Sequence, residues 1–253
     1  MAAIAERSPA VGAPFLEIEG LTKVFGGVRA VDGVDLALSA DEMRCVIGPN
    51  GCGKTTLFNL ITGYLLPTAG TIRFEGRDVP GRPLHEIAHS GIVRKFQVPS
   101  IFPGLTVGGN VESALAARPR GARAKSPDAL DRLLATVRLD GRRDQRAGTL
   151  SHGQKQWLEL AMVLATEPRL ILLDEPAAGM TRAEKGETVR LIDIIRRETA
   201  VAALVIEHDM DFVEALACSV SVMMTGRIVA SGSFDEVRGD KLVREAYLGP
   251  MRG

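Results

Sequence analysis

The sequence predicts an α/β fold built on a mixed, largely parallel β-sheet wrapped by helices. In its second half, short apolar segments alternate with helical segments, an order that places helices on both faces of a sheet. The apolar run 170–173 has no polar face, as expected of a strand buried inside a parallel sheet. A chain of 253 residues is long enough for one large α/β domain with a modest insertion.

The N-terminal half begins with strand patterns and then changes in character. Charged residues and prolines interrupt residues 1–14, which predicts a loose tail without a signal-peptide core. Apolar and polar residues alternate in 15–19 and 34–38, as in half-exposed strands. The other elements predicted here are a strand at 43–47, a helix at about 54–63 and a strand at 71–75. Prolines punctuate helical runs such as 128–139 within 98–150, which predicts a small helical subdomain inserted in the core.

The C-terminal half continues the alternation of strands and helices after the apolar strand at 170–174. The pattern predicts a helix at about 182–198, a strand at 202–206, a short helix at 209–217 and strands at 219–224 and 227–230. A helix at roughly 241–247 is predicted to follow them. The main domain is therefore expected to span 15–250.

Composition excludes several classes of function. Lys and Arg together number 31, as do Asp and Glu, so the charge balance gives no reason to expect a nucleic-acid partner. Cysteines at 45, 52 and 218 are too few and too scattered for a disulfide framework or a zinc site. No apolar run approaches the ~18 residues that cross a bilayer, so we expect a cytosolic chain whose membrane role depends on a partner.

Residues 48–55 read GPNGCGKT, which fits the phosphate-binding pattern GxxxxGK[ST] between a predicted strand and a predicted helix. Glycines let consecutive backbone N–H groups face phosphate oxygens, and the helix N-terminus adds positive potential. Lys54 is expected to reach the β- and γ-phosphates, and the Thr55 hydroxyl to bind Mg²⁺. The predicted nucleotide-binding residues of this P-loop are Gly48, Pro49, Asn50, Gly51, Cys52, Gly53, Lys54, Thr55 and Thr56. The sequence thus predicts a P-loop NTPase core.

Two adjacent carboxylates follow the buried strand at 170–173. Asp174 ends that strand, which suits a carboxylate that meets Mg²⁺ directly or through water. Glu175 lies one residue further and is the candidate to polarise an attacking water molecule. The same pair could instead form a solvated turn or cap the next helix.

Residues 150–154 read LSHGQ and precede a predicted helix. Ser151 can cap that helix. Its apolar positions recur at helical spacing, at Trp157, Leu160, Ala161 and Leu164. An ordinary capped helix would explain Ser151 alone, but it would not explain the whole string one helix ahead of the acidic pair.

These motifs together resemble the ATP-binding subunits of ABC transporters, over residues 15–249. The resemblance implies the ABC ATPase fold, in which the P-loop core carries an antiparallel β subregion and a small helical subdomain. LSHGQ is similar to the family signature, usually LSGGQ, with His152 replacing its first glycine. The resemblance further implies that Ser151, Gly153 and Gln154 act on ATP held by a second subunit in a head-to-tail dimer.

Further residues take their expected roles from the same resemblance. Phe25 is similar to the aromatic residue that stacks on adenine, although a core aromatic is the alternative. Gln97 is similar to the glutamine that senses Mg²⁺ and the attacking water, and His208 to the histidine that contacts the γ-phosphate. A histidine at a strand end could also be a purely structural residue. Thr181 stands where the family usually has an aspartate, so the role of that aspartate is not transferred.

The resemblance also implies what the ATPase drives and with what partners. The expected partners are a second copy or a paralogous ATPase subunit, transmembrane permease subunits and, indirectly, a periplasmic solute-binding protein. The chain is then expected at the cytoplasmic face of the inner membrane as a peripheral subunit.

Short strings within the motifs indicate the solute. They resemble the branched-chain amino acid and urea importer branch, and residues 94–97 and 150–159 are closer to its urea member. Urea is therefore the first expectation and branched-chain amino acids the alternative. Lipopolysaccharide export and a soluble, non-transport ATPase are further alternatives.

Overall fold

The computed structural model describes residues 14–95, 100–117 and 128–244. Its strands are β1 (Leu16–Phe25), β2 (Val28–Leu38), β3 (Met43–Ile47), β4 (Ala69–Phe74), β5 (Arg77–Asp78), β6 (Ile92–Lys95), β7 (Leu170–Asp174), β8 (Ala202–Ile206), β9 (Ser219–Met224) and β10 (Arg227–Gly232). Its helices are α1 (Lys54–Ile61), α2 (Leu84–His89), α3 (Val107–Ala116), α4 (Ala129–Thr136), α5 (His152–Ala165), α6 (Arg182–Thr199), α7 (Met210–Leu216), α8 (Phe234–Gly239) and α9 (Lys241–Val243).

The central sheet has the strand order β10-β9-β3-β8-β7-β6. Its pairs from β9 to β6 are parallel, and only the β9–β10 hairpin is antiparallel. Every residue of β7 is buried, because β6 and β8 flank it and helices cover the sheet. The predicted mixed, largely parallel sheet is therefore confirmed. Parallel pairing also brings the carboxyl ends of β3, β8 and β7 to one edge of the sheet.

A second, antiparallel sheet has the order β2-β1-β4-β5. Its apolar face packs with α1 into one core, in which Phe58 and Phe74 are buried. The strand expected at 34–38 is the end of the longer β2. β4 ends at Phe74, one residue earlier than expected, because Glu75 adopts a left-handed backbone angle of φ 51°.

A third cluster of apolar side chains joins α3, α4 and α5 into the helical part of the molecule. Val111, Leu134 and Leu158 are buried there, one from each helix. The helix expected over 128–139 is shorter, because Arg138 takes φ 58° after α4. The domain limits expected from the sequence remain a prediction.

Some elements had no clear signal in the sequence. Strand β6 ends in Arg94 and Lys95, and these charged residues interrupt the apolar pattern by which a strand is recognised in the sequence. Lys95 is buried, and the cost of burying its charge is offset by Glu159, which is also buried. The Lys95 ammonium group lies 3.2 Å from a carboxylate oxygen of Glu159. Of the helix expected at 241–247, the structure describes α9 and Arg244, and residues 245–247 lie outside the described residues.

No helix in the described part of the chain combines the length and the apolar character needed to cross a bilayer.

Replacing Leu172 by Ala tests the central position of β7. Leu172 is fully buried in the core shared by the two sheets. We expect Leu172→Ala to lower the free energy of unfolding by about 2–5 kcal/mol, because it leaves a cavity that the flanking strands cannot fill. Leu66→Ala is the control, since Leu66 is 58% exposed. Urea unfolding followed by circular dichroism measures both, and equal effects of the two variants would contradict this role of β7.

Candidate functional site

The loop after β3 is held between two other segments of backbone. Gly48 has φ 151°, and a Cβ atom there would lie 2.0 Å from the carbonyl oxygen of Met223. Gly53 has φ 109°, and a Cβ atom there would lie 2.1 Å from the carbonyl oxygen of Ala30. Both positions therefore require glycine, and the loop is wedged between the end of β9 and the start of β2.

Lys54 lies inside this loop, at the first position of α1. Its side chain is nearly buried, and its ammonium group donates to the carbonyl oxygens of Gly48, at 2.8 Å, and Pro49, at 2.9 Å. Asn50 and Thr55 are exposed at the rim. A positive charge at a helix N-terminus, with glycine backbone around it, can hold a phosphate group.

Asp174 is buried at the end of β7 and pairs with an arginine. The Arg94 guanidinium donates to Asp174 Oδ2 at 2.5 Å. Its other terminal nitrogen donates to Asn59 Oδ1 on α1, also at 2.5 Å. Arg94 thus holds the carboxylate and the P-loop helix together. Sequence reasoning missed this pair, because the two residues are 80 positions apart and meet only through the pairing of β6 with β7.

Glu175 has a backbone conformation that is rare for a residue with a side chain. Its φ is 47°, and its N–H donates to the carbonyl oxygen of Ile206 at 2.9 Å. This turn directs the side chain towards the end of β8, where Glu175 Oε1 lies 3.6 Å from Nδ1 of His208. Left-handed strain of this kind concentrates at functional sites.

Glu207, between β8 and His208, links two loops of the site. It is buried and accepts hydrogen bonds from the N–H groups of Ala177, at 3.0 Å, and His208, at 3.1 Å. Burial raises the pKa of Glu207, while these backbone hydrogen bonds act in the opposite direction. Sequence reasoning assigned Glu207 no role. The available signal was an acid placed directly after a wholly apolar strand.

Phe25 lies at the tip of the hairpin that joins β1 to β2. The residue is 44% exposed, so it is not a core aromatic, and the ammonium group of Lys23 lies 5.1 Å from the centre of its ring. The close approach of Ala30 to Gly53 brings the start of β2 against the P-loop. The exposed ring can therefore offer a stacking face beside the phosphate loop.

Residues 151–154 begin α5 on the helical part of the molecule. Ser151 caps the helix: its hydroxyl accepts from the Gln154 N–H at 3.2 Å, and its own N–H donates to the Gln154 side chain at 3.1 Å. Its hydroxyl also donates to Glu184 Oε1 at 3.2 Å. In the described residues, the hydroxyl and N–H of Ser151 thus bond to Gln154 and Glu184 rather than to the P-loop.

The remaining predicted residues are placed as follows. Thr181 caps α6 through a reciprocal box with Glu184, which gives a structural reason for a hydroxyl at this position. Gln97 lies outside the described residues. The expected helix face of α5 is buried at Leu160, Ala161 and Leu164, whereas Trp157 is half-buried and donates to the Thr188 hydroxyl at 2.9 Å.

The polar side chains of the site include oxygen ligands that suit a metal ion. Within 14–95, 100–117 and 128–244 there is no group of three or more His, Cys, Asp or Glu side chains able to hold one. The Thr55 hydroxyl and the Asp174 carboxylate are oxygen ligands of the kind that Mg²⁺ accepts. Mg²⁺ typically takes one or two such protein ligands and completes its shell with water and phosphate oxygens, so these residues fit that ion.

Two family models match the chain. The model described as "ABC transporter" matches residues 31–178, which include the P-loop, the LSHGQ segment and the acidic pair. The model described as "Branched-chain amino acid ATP-binding cassette transporter" matches residues 227–249.

Individual relatives agree with these models. The chain is 38% identical to the high-affinity branched-chain amino acid transport ATP-binding protein BraF of Pseudomonas aeruginosa, over 93% of this chain and 98% of that protein. It is 37% identical to the corresponding protein LivG of Escherichia coli, over 93% and 98%. A crystal structure of the ADP conformation of an ATP-binding cassette of an ABC transporter matches with a TM-score of 0.82 and 30% identity, over 94% of this chain and 99% of that one. The chain therefore belongs to the ATP-binding subunits of ABC transporters and is an ATPase with the ABC fold.

Proposed function

We propose that this chain is the ATPase motor of an ABC importer for branched-chain amino acids. One observation supports the assignment as an ATPase motor: the P-loop, the acidic pair and His208 follow β3, β7 and β8, three adjacent parallel strands. The solute is supported by the names of the relatives and by the family model at 227–249. None of the reported names mentions urea, so the comparisons favour the alternative over the first expectation.

The nucleotide is bound by residues of one subunit. The exposed ring of Phe25 stacks on adenine, and Lys54 with the backbone N–H groups of 48–56 holds the phosphates. Thr55, Asp174 and Gln97 would hold Mg²⁺, which would supply charge neutralisation on the phosphate oxygens. Arg94 keeps the Asp174 carboxylate facing the P-loop helix through its bond to Asn59.

Hydrolysis depends on positioned polar groups at the strand ends. Glu175 accepts a proton from the attacking water at its carboxylate, and Gln97 orients that water. His208, in the loop after the neighbouring strand β8, contacts the γ-phosphate. Its Nδ1 lies 3.6 Å from Glu175 Oε1. Most of the rate then comes from positioning and charge neutralisation.

Each ATP is completed by a second subunit in a head-to-tail dimer. Ser151, Gly153 and Gln154 lie at a helix N-terminus, where an exposed hydroxyl and backbone N–H groups can bind the γ-phosphate of ATP held by the partner. The second subunit is another copy of this chain or a paralogue. Closure of the dimer moves permease subunits in the membrane, which places this chain at the cytoplasmic face as a peripheral subunit. A periplasmic solute-binding protein delivers the solute to the permease.

Replacing Glu175 by Gln tests the proposed motor. The amide keeps the size of the side chain but cannot take the proton of water, so we expect kcat for ATP hydrolysis to fall about 10²–10⁴-fold. ATP binding should persist, and the variant should accumulate as an ATP-bound dimer in analytical ultracentrifugation. Glu198→Gln, at an exposed position near the end of α6, is the matched control and should keep wild-type turnover. Normal turnover of Glu175→Gln would remove Glu175 from this role.

Transport assays test the solute. We expect ATPase activity, in proteoliposomes with the cognate permease subunits, to rise when the solute-binding protein carries leucine, isoleucine or valine. Urea with its own binding protein should leave the activity at its basal level. Stimulation by urea alone would overturn the branched-chain proposal in favour of urea. Stimulation by neither solute would overturn the importer assignment as a whole.

A further inference from the structure

The carboxylate of Glu184 lies at the start of α5, the helix that begins in the LSHGQ segment and is called the signature helix below. Glu184 is the third residue of α6 and closes a capping box there. Its Oε2 accepts from the N–H of Thr181 at 3.0 Å and from the Thr181 hydroxyl at 2.9 Å. Its Oε1 instead accepts from the Ser151 hydroxyl at 3.2 Å, on a different helix and 33 residues away.

Gly153 belongs to the same contact. Its backbone faces the Glu184 carboxylate, and a Cβ atom at position 153 would lie 2.6 Å from Glu184 Oε1. Only a residue without a side chain leaves room for this approach. Hydrogen bonds from Thr181 hold the pKa of Glu184 below its usual value, with smaller contributions from Ser151 and Gly153. Glu184 is therefore an anion at neutral pH.

Two other contacts hold the starts of α5 and α6 together. The indole N–H of Trp157 donates to the Thr188 hydroxyl at 2.9 Å. The imidazole Nε2 of His152 lies 3.1 Å from the carbonyl oxygen of Ala178, in the segment that follows Glu175. The contact between Glu184 and Ser151 is thus one of several that form the junction between α5 and α6.

The capping box does not by itself require the contact with Ser151. Helix α8 begins with the same arrangement, in which Glu236 Oε2 accepts from the N–H and the hydroxyl of Ser233, both at 2.8 Å. In the described residues, the hydrogen bonds of Glu236 stay within that box. The contact between Glu184 Oε1 and Ser151 is therefore additional to helix capping.

We infer that Glu184 is a positioning residue that fills the anion-binding end of α5 in the free subunit and leaves it when the ATP-bound dimer closes. The inference rests on the proposed function, in which Ser151 and Gly153 bind the γ-phosphate of a nucleotide held by the partner. A carboxylate and a phosphate cannot share these donors, because both are anions and the donors are few. Glu184 Oε1 must give up its contacts on closure, while Oε2 can stay on Thr181. The carboxylate thus opposes dimer closure until ATP is present.

The experiment compares dimer formation in a background that holds ATP. Glu184→Gln is combined with Glu175→Gln, since the amide oxygen can still accept from Thr181 while the negative charge is gone. We expect the dimer dissociation constant with ATP to fall on the order of fivefold, the scale of one exposed ionic contact. Glu236→Gln, in the same background, is the matched control and should leave that constant unchanged. Analytical ultracentrifugation at several protein concentrations measures the constants, and thermal unfolding without nucleotide checks that all variants are folded.

The outcomes separate the two ideas. If Glu184→Gln leaves dimerisation unchanged or weakens it, as loss of a merely structural cap would, the inference is overturned and the proposed function stands. If Glu175→Gln alone forms no ATP-dependent dimer, the proposed function fails and the inference fails with it. Glu184→Asp keeps the charge and the box with Thr181 but shortens the reach to Ser151. It should also favour the dimer, and it provides the test if Glu184→Gln does not fold.

Discussion

The structure depends on the in-register parallel pairing of β3, β8 and β7. Asp174 pairs with Ile206 across β7 and β8, and Ile206 pairs with Val46 across β8 and β3. The row continues past the strand ends, where the Glu175 N–H donates to Ile206 at 2.9 Å. Each strand therefore ends at the same level, and the loop that follows it begins at the same edge. This register brings the phosphate loop, the acidic pair and His208 to one edge of the sheet, and the Glu207–Ala177 hydrogen bond then joins two of their loops.

Buried polar groups then orient the side chains and loops at the ends of these strands. Arg94 joins Asp174 to the P-loop helix through Asn59, and Glu207 joins the loop after Glu175 to the backbone at His208. A buried charge left without a partner is costly, so each of these groups is held strongly in one arrangement. They also explain the charged end of β6, the last strand in the order of the central sheet, because Arg94 pairs with Asp174 and Lys95 with Glu159. Arg94 and Glu207, to which the sequence analysis assigned no role, are the residues that hold the ends of β7 and β8 in place.

The junction between α5 and α6 joins the two halves of the expected mechanism within one subunit. The segment after Glu175 passes under His152 and ends at Thr181, where α6 starts beside the signature helix. Residues proposed to serve the subunit's own nucleotide and residues proposed to serve the partner's nucleotide are thus neighbours. A few hydrogen bonds separate the two sets of residues, and Thr181 contributes to this junction a hydroxyl that caps α6.

The sequence by itself determined the fold class, the P-loop, the acidic pair and the helix cap at Ser151, since each depends on local patterns such as glycine spacing, apolar periodicity and capping residues. Family resemblance placed Phe25 and His208, and Phe25 is exposed at a hairpin tip as a stacking residue would need to be. Only the tertiary structure decided the partners of those residues. Arg94 with Asp174, Glu207 with Ala177, and Glu184 with Ser151 are separated by 80, 30 and 33 positions. Such pairs leave no periodic signal, because strand register and helix packing, which involve the whole chain, bring them together.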